Sequence, residues 1–149
     1  MSEYKKPVSV LVVIHTCDLD VLLIERAAHP GYWQSVTGSQ EGEEVLIDTA
    51  RREVFEETGL DARQFDLHDW QRQVTYEIFP EWRYRYAPGI TQNTEHIFSL
   101  ELPARQPVRL APQEHRDFLW LPRQAAAEKV FSWSNRDAIL ALEIRKALS

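Results

Sequence analysis

The stretch of residues 38–60, GSQEGEEVLIDTARREVFEETGL, constrains the fold of this chain more than any other segment. It has no Gly or Pro over residues 44–58 and then reaches Gly59, so the pattern predicts a helix over 44–58 that ends at a glycine. The helix carries a stripe of apolar side chains at helical spacing, namely Leu46, Ala50 and Val54. One face of this helix is therefore expected to pack against a core.

The same helix crowds negative charge onto one face. Glu53, Glu56 and Glu57 lie within four residues of one another, so their carboxylates project close together. Like charges at positions i and i+4 destabilise a helix by roughly 0.2–0.5 kcal/mol per pair, and Arg52 offsets only part of that. Two explanations are open at this point. The face is simply solvated, or it binds a hard divalent cation such as Mg²⁺ together with substrate phosphates.

The residues around the cluster decide between these explanations. Their spacing matches the pattern G-x5-E-x7-R-E-U-x-E-E-x-G-U, in which U is a bulky aliphatic residue, through Gly38, Glu44, Arg52, Glu53, Val54, Glu56, Glu57, Gly59 and Leu60. This pattern resembles the Nudix box, and so many positions at fixed spacing are far more specific than a lone glycine-rich loop. The resemblance implies an α/β fold of the Nudix type, an α/β/α sandwich with a mixed β-sheet, in which the box forms a loop-helix-loop catalytic motif.

The same resemblance implies a hydrolase that cleaves a nucleoside diphosphate linked to another moiety, with Mg²⁺ or Mn²⁺ as cofactor. Shorter segments resemble a bacterial branch of the family that acts on a pterin triphosphate in folate biosynthesis: YKKPVSVLVVI, YWQSVTGS, YRYAPG, NTEH, FLWL and SWSNRDAI. We therefore expect a small-molecule triphosphate as substrate. Two alternatives stay open, a broader hydrolase of (deoxy)nucleoside triphosphates and a catalytically silent Nudix domain that senses a ligand.

The family resemblance also assigns roles to the acidic residues. Glu53 and Glu57 are expected to bind the metal ion, with Glu56 as a further or second-metal ligand. An additional metal-binding acid is expected before the last strand, at Glu114, and Arg52 is expected to hold a box glutamate in position. Structural alternatives stay open, since Glu56 can pair with Arg52 and Glu114 can be an exposed loop residue. The sequence also leaves Glu114, Glu56 and Glu53 open as the general base.

Lys5 and Arg26 are the cations expected to bind the triphosphate. Lys5 precedes the first predicted strand and Arg26 follows the second, so a hairpin places both near one end of the sheet. Thr37 either offers its hydroxyl to phosphate or ends a strand. For the organic part of the substrate, the candidates are three aromatic residues that can stack on a flat ring and two polar residues that can bond its edge: Trp33, Tyr76 and Phe79, then Ser132 and Asn135. Core packing is the alternative for the aromatic residues.

The rest of the chain predicts a sheet and a C-terminal helix within one domain, residues 1–149. PVSVLVVIHT is a continuous apolar run typical of a strand buried on both faces, and VLLIER follows it as the second strand of a hairpin. LHDWQRQVTYEIF, EHIFSLEL and RDFLWLP are the further predicted strands. SNRDAILALEIRKAL predicts a helix with Ser134 and Asn135 as candidate caps.

Charge and cysteine content limit the partners and the compartment. The formal charge of -6 argues against a broadly basic surface that binds nucleic acid. No apolar run is long enough to cross a bilayer, and no charged leader precedes a run of signal-peptide type. With Cys17 as the one cysteine, an internal disulfide is excluded, so a cytoplasmic protein is expected. The oligomeric state stays open.

Overall fold

The structure is a computed structural model that describes residues 4–148, and the side chains of residues 4–142. The strands within this part are β1 (Val8–Thr16), β2 (Asp20–Arg26), β3 (Trp33–Gln34), β4 (Val36–Ser39), β5 (Asp66–Glu77), β6 (Gln92–Leu102) and β7 (His115–Pro122). The helices are α1 (Leu46–Thr58), α2 (Arg123–Lys129) and α3 (Trp133–Leu148), and short 3₁₀ helices lie at Ala62–Gln64 and Pro80–Arg85. Each strand predicted from the sequence is therefore present, with small shifts at its ends.

The strands form one mixed sheet. Its path runs β3-β2-β1-β6-β5, with β4 paired to β1 and β7 paired to β2. The pairing of β1 with β6 is parallel and places Val8 beside Thr94, whereas the other pairings are antiparallel. The predicted hairpin of β1 and β2 is present, with His15 opposite Val21. The expectation of a mixed sheet is confirmed.

Helices cover both faces of this sheet. On one face α1 packs over a core cluster that includes Val10 and Val12, and on the other face α2 and α3 pack over Leu11 and Val13. Alternate side chains of β1 point to opposite faces of the sheet, and helices cover both faces. Both sets of side chains are therefore apolar, and the strand is a continuous apolar run in the sequence. The α/β/α sandwich implied by the family resemblance is therefore confirmed.

The ends of α1 are set by residues of the box. The helix begins at Leu46, later than predicted, because the Glu44 carboxylate accepts the Glu41 N–H at 2.9 Å and keeps this segment in a turn. It ends at Gly59, whose φ of 77° lies in the left-handed region that favours glycine. The box is thus a loop followed by a helix that ends at Gly59.

The start of α3 differs from the prediction. The helix begins at Trp133, so Ser134 and Asn135 lie inside its first turn and the prediction that they cap it is wrong. Ser132 caps it instead, because its Oγ accepts the Asn135 N–H at 3.2 Å. The sequence did not predict α2, which is too short to show a clear apolar stripe. Within residues 4–148, no helix is long and apolar enough to cross a membrane.

Candidate active site

One cavity of about 890 Å³ brings most of the predicted site residues together. Its walls come from the box loop and α1, from residues of β1 to β7, from the 3₁₀ helix Pro80–Arg85, and from the start of α3. The predicted residues in its lining are Lys5, Arg26, Thr37, Glu53, Glu56, Glu57, Tyr76, Phe79, Glu114, Ser132 and Asn135. Two predicted residues, Trp33 and Arg52, lie outside the lining.

Arg52 connects the box loop to the acidic face of α1. Its Nε and Nη2 donate to the two carboxylate oxygens of Glu44 at 3.2 and 2.7 Å. Its Nη1 donates to Glu53 Oε1 at 2.6 Å, and Nη2 also donates to the Ser39 carbonyl at 2.9 Å. The contact to Glu56 is longer, at 3.4 Å. Arg52 is therefore placed to orient Glu53 while it closes the loop onto the helix.

The pairing of Glu44 with Arg52 predicts a loss of stability in acid. The hydrogen bond from Arg52 lowers the pKa of Glu44 to about 2 from its ordinary value of 4.5. Because the folded-state pKa is lowered, ionised Glu44 stabilises the protein at pH values above its ordinary pKa of 4.5. This stabilisation is lost as the pH falls from 4.5 through 2. We expect Glu44→Gln to show a flatter dependence of Tm on pH across this window. Melting curves of the parent and of the exposed Glu43→Gln control provide the comparison, and equal slopes in all three proteins would contradict the prediction.

Glu53 and Glu57 form a buried carboxyl pair in the wall of the cavity. Their exposed fractions are 9% and 3%, and the two carboxyl groups share a hydrogen bond. Burial and the neighbouring Glu53 raise the pKa of Glu57 well above its ordinary range. Burial also raises the pKa of Glu53, against the Glu57 hydrogen bond and the charge of Arg52. Two carboxylates this buried ionise together only when a cation compensates their charge.

The carboxyl pair fits a divalent cation. No ready-made cluster of three or more His, Cys, Asp or Glu ligands exists among the described side chains. However, Glu57 Oε1 is buried without a hydrogen-bond partner in that part of the chain, which leaves a hard oxygen donor unused. Glu56 is half exposed on the same helix, and Glu114, in the exposed loop before β7, acts on Glu57 through its charge. These acids are an oxygen-rich donor set of the kind that Mg²⁺ and Mn²⁺ prefer.

Lys5 and Arg26 lie in the same cavity, as the hairpin predicted. Burial and then the positive charge of Arg85 lower the pKa of both side chains, that of Lys5 to about 8. The acids of the box partly oppose these shifts. Arg26 Nη1 donates to Gln34 at 3.2 Å, while its buried Nε has no acceptor among the described residues. A positive patch with an unused donor therefore lies beside the acidic pair.

Gly38 allows the close approach of Glu53 to β4. A Cβ built on Gly38 would overlap the Glu53 carboxylate. The requirement is one of space, because Gly38 lies outside the left-handed region in which a glycine relieves backbone strain. Any larger residue at this position would displace an acid of the buried pair.

The aromatic candidates divide between the cavity and the core. Phe79 lines the cavity and stacks on Trp82 with ring centroids 5.1 Å apart, and Tyr76 also lines it. Trp33 does not, so the prediction that it stacks on the substrate is not supported. It packs in the core beneath Lys129, whose Nζ lies 5.2 Å from the ring centroid. Pairing of β3 with β2 places Trp33 opposite Glu25, on the sheet face covered by α2 and α3.

The polar candidates already have partners within the fold. Thr37 Oγ1 donates to the Val10 carbonyl at 3.0 Å. This hydroxyl therefore links β4 to β1, and its proton is not free for phosphate. Asn135 accepts the Ser35 N–H at 2.8 Å and donates to Ser35 Oγ at 2.9 Å, so its amide holds α3 to the sheet. The geometry therefore does not support direct substrate contacts from these two side chains. Ser132 accepts one hydrogen bond and keeps its own hydroxyl proton.

Several cavity residues were not predicted from the sequence. Arg85 and Trp82 come from the 3₁₀ helix after β5, and Arg26 lies 4.7 Å from the ring centroid of Trp82. His115 Nε2 lies 3.8 Å from Glu57 Oε1, and burial lowers the pKa of His115 to about 4, which keeps the ring neutral. Glu95 is buried in β6. Two sequence signals point to Glu95, which is an acid at an inward position of the strand NTEHIFSLEL and belongs to the segment NTEH that resembles the family.

Known proteins are similar to this chain in sequence and in fold. The NUDIX domain family matches residues 5–142. The dihydroneopterin triphosphate diphosphatase of Escherichia coli K12 is 48% identical over 147 residues, 97% of each chain. The Haemophilus influenzae protein of the same name is 42% identical over 93% of this chain and 89% of its own. The structure of the E. coli dihydroneopterin triphosphate pyrophosphohydrolase matches with a TM-score of 0.90 at 47% identity, covering 97% of this chain and 99% of that one. The chain therefore belongs to the Nudix family of hydrolases.

Proposed function

We propose that this protein is a Mg²⁺-dependent pyrophosphohydrolase that converts dihydroneopterin triphosphate to dihydroneopterin monophosphate and pyrophosphate, a step of folate biosynthesis. Its relatives in E. coli and H. influenzae carry this substrate in their names and align over nearly the whole chain. The observation that carries the proposal is the buried Glu53–Glu57 pair in one cavity with Lys5 and Arg26. A cytoplasmic location, predicted from the lone cysteine, is part of the proposal.

The metal ligands in this proposal are the acids of the cavity. Nudix hydrolases generally use a divalent metal ion, and we assign Glu53 and Glu57 as its ligands, with Glu56 and Glu114 as further ligands. A bound Mg²⁺, or Mn²⁺ as the alternative, neutralises charge on the phosphate oxygens and lowers the pKa of water. Arg52 positions Glu53 through its 2.6 Å hydrogen bond and lies outside the lining of the cavity.

Lys5 and Arg26 bind the triphosphate in this scheme. The protein has a formal charge of -6 and repels polyanions over most of its surface, so local cations must reverse the sign of the potential in the cavity. Lys5, with a pKa of about 8, carries its charge at neutral pH. The unused Nε of Arg26 is a directional donor for a phosphate oxygen.

The chemical step is attack of water on one of the two phosphorus atoms that the cleaved P–O–P bridge joins, in line with the leaving group. The water loses its proton to a carboxylate, the new P–O bond forms, and the phosphoanhydride bond breaks with its electron pair on the leaving phosphate. No covalent intermediate with the protein is needed. Glu114, Glu56 and Glu53 are the candidates for the base, and Glu114 has the open loop position that gives access to water.

A broader activity on (deoxy)nucleoside triphosphates is the second candidate. Lys5 and Arg26 bind phosphate groups in this scheme, and all of these substrates carry a triphosphate. The phosphate end of the cavity therefore does not exclude nucleotides. Relative values of kcat/KM separate the two activities. A catalytically silent, ligand-sensing domain is the remaining alternative.

The test is hydrolysis of dihydroneopterin triphosphate and a panel of nucleoside triphosphates in ¹⁸O-labelled water with Mg²⁺. We expect pyrophosphate release with the highest kcat/KM for the pterin substrate and with label in one product, which identifies the attacked phosphorus. Glu114→Gln and Glu56→Gln are compared in the same assay to assign the base. Higher kcat/KM for nucleotides would favour the broader hydrolase, and no pyrophosphate release from any triphosphate would favour the silent domain.

A further inference from the structure

A second polar region lies in the cavity, on the sheet face covered by α3. It is formed by Asn93 and Glu95 of β6, Tyr76 of β5 and Ser9 of β1. Asn93 Nδ2 donates to Ser9 Oγ at 2.7 Å and to Tyr76 Oη at 3.0 Å, while its buried Oδ1 has no partner among the described residues. This region is separate from the acids of the Nudix box and has no role in the chemical step proposed above.

Glu95 is the charged group of this region. It is 4% exposed, lines the cavity and accepts a hydrogen bond from Ser134 Oγ at 3.0 Å. Among the side chains of residues 4–142, Ser134 is its single hydrogen-bond partner and no cation is paired with it. Burial raises the pKa of Glu95 to about 7. A buried carboxyl without a cation is costly, and donors supplied by a ligand would reduce that cost.

The strand register sets the distance from Glu95 to the phosphate end. Ser9 pairs with Glu95 on one side and with Ser39, at the start of the box loop, on the other. Neighbouring strands are ~4.8 Å apart, so Glu95 and Ser39 are separated by about 10 Å across the sheet. That span suits a ligand whose ring lies at Glu95 and whose phosphorylated side chain reaches the box.

We infer that Glu95 selects the heterocycle of the substrate, with its carboxylate accepting a ring N–H and the adjacent exocyclic amino N–H of an aminopyrimidinone edge. Two parallel N–H donors match the two oxygens of a carboxylate. Pterins and guanine share this edge, whereas adenine has a ring nitrogen acceptor beside its amino group. The inference rests on the proposed function and adds the residue that reads the ring.

The experiment compares ring preference in the parent, Glu95→Gln and Glu101→Gln, using the full chain with Mg²⁺. Calorimetry measures binding of the α,β-methylene analogues of GTP and ATP, which resist cleavage at that bond, and of inorganic tripolyphosphate. We expect the parent to prefer the guanine analogue by about 30-fold and Glu95→Gln to retain a preference of about threefold or less. In parallel, kcat/KM for dihydroneopterin triphosphate should fall by about 30-fold or more in Glu95→Gln.

Two features of the design keep the result interpretable. Glu95→Gln preserves side-chain shape and an acceptor for Ser134, so we expect it to fold, and unchanged tripolyphosphate binding would show that the phosphate end is intact. Glu101→Gln makes the same change on β6 outside this cavity and should retain the parent's preference. Equal weakening of all ligands in Glu95→Gln, an unchanged preference, or a parent with no guanine preference would overturn the inference.

The outcome separates this inference from the proposed function. Suppose that the parent does not hydrolyse dihydroneopterin triphosphate but prefers the guanine analogue, and that Glu95→Gln lacks this preference. The inference would then stand, and the proposed function would be rejected. If the parent and Glu95→Gln hydrolyse dihydroneopterin triphosphate equally well, the proposed function would stand and the inference would be rejected.

Discussion

Replacing Glu57 with glutamine is expected to lower kcat for triphosphate hydrolysis by about 10³-fold, while the protein stays folded. Glu57 Oε1 is buried and has no hydrogen-bond partner in the described part of the chain, and the side chain lies against Glu53. Glutamine preserves the shape but removes the charge that a divalent ion requires. Steady-state kinetics with saturating Mg²⁺ measure the effect, with exposed Glu43→Gln as the control for loss of one negative charge.

The stability of Glu57→Gln distinguishes a metal ligand from a structural acid. Because burial raises the folded-state pKa of Glu57, its ionisation destabilises the metal-free protein as the pH rises above the unfolded-state value. We therefore expect metal-free Glu57→Gln to melt no lower than the parent at alkaline pH. Mg²⁺ should raise the Tm of the parent but not of the variant, since a ligand stabilises only the state that binds it. Near-normal kcat in Glu57→Gln would contradict the assignment.

Gly38→Ala is expected to lower kcat/KM by about 10²-fold through displacement of Glu53. The added Cβ would overlap the Glu53 carboxylate, which Arg52 and Glu57 hold on its other sides. The carboxylate must therefore move out of the pair or push β4 away from α1. Overpacking of this kind costs roughly 1–3 kcal/mol in folding free energy. Kinetics and denaturant unfolding of the same sample measure both effects.

Gly42→Ala is the matched control for this glycine. Gly42 has a φ of 56° in the box loop, and a Cβ there meets nothing within 4 Å. Alanine in the left-handed region costs roughly 1–2 kcal/mol, so this variant should lose stability while kcat/KM changes little. If Gly38→Ala loses stability but keeps the parent's kcat/KM, the proposed importance of the Glu53 position is wrong.

Local sequence was sufficient to predict α1. The segment without Gly or Pro, the stop at Gly59 and the apolar stripe depend on neighbours along the chain, so the sequence predicted α1 and the clustering of its acids. The start at Leu46 was missed because it depends on the side chain of Glu44, which is held by Arg52 across the loop. The family resemblance, through the spacing of the box, supplied the fold class.

The residues proposed for the organic part of the substrate could not be predicted from local sequence, because their positions depend on contacts between distant segments of the chain. Trp33 belongs to a strand of two residues, and its pairing with β2 decides which face it occupies. The amide of Asn135 is used by Ser35, a contact between segments far apart in the chain. Glu95 was visible as an acid in an apolar strand, but only the position of α3 and the register with β1 show that it lies in the cavity.

The parallel pairing of β1 with β6 determines when a growing polypeptide can assemble this protein. β1 is made before the Nudix box, and its partner in the centre of the sheet, beginning at Gln92, is made only after the whole box. Until then β1 has an unpaired edge, which is prone to association with other chains. Nascent chains that stop before β6 are therefore expected to depend on chaperones, and a truncation that removes β6 should yield insoluble material rather than a weaker catalyst.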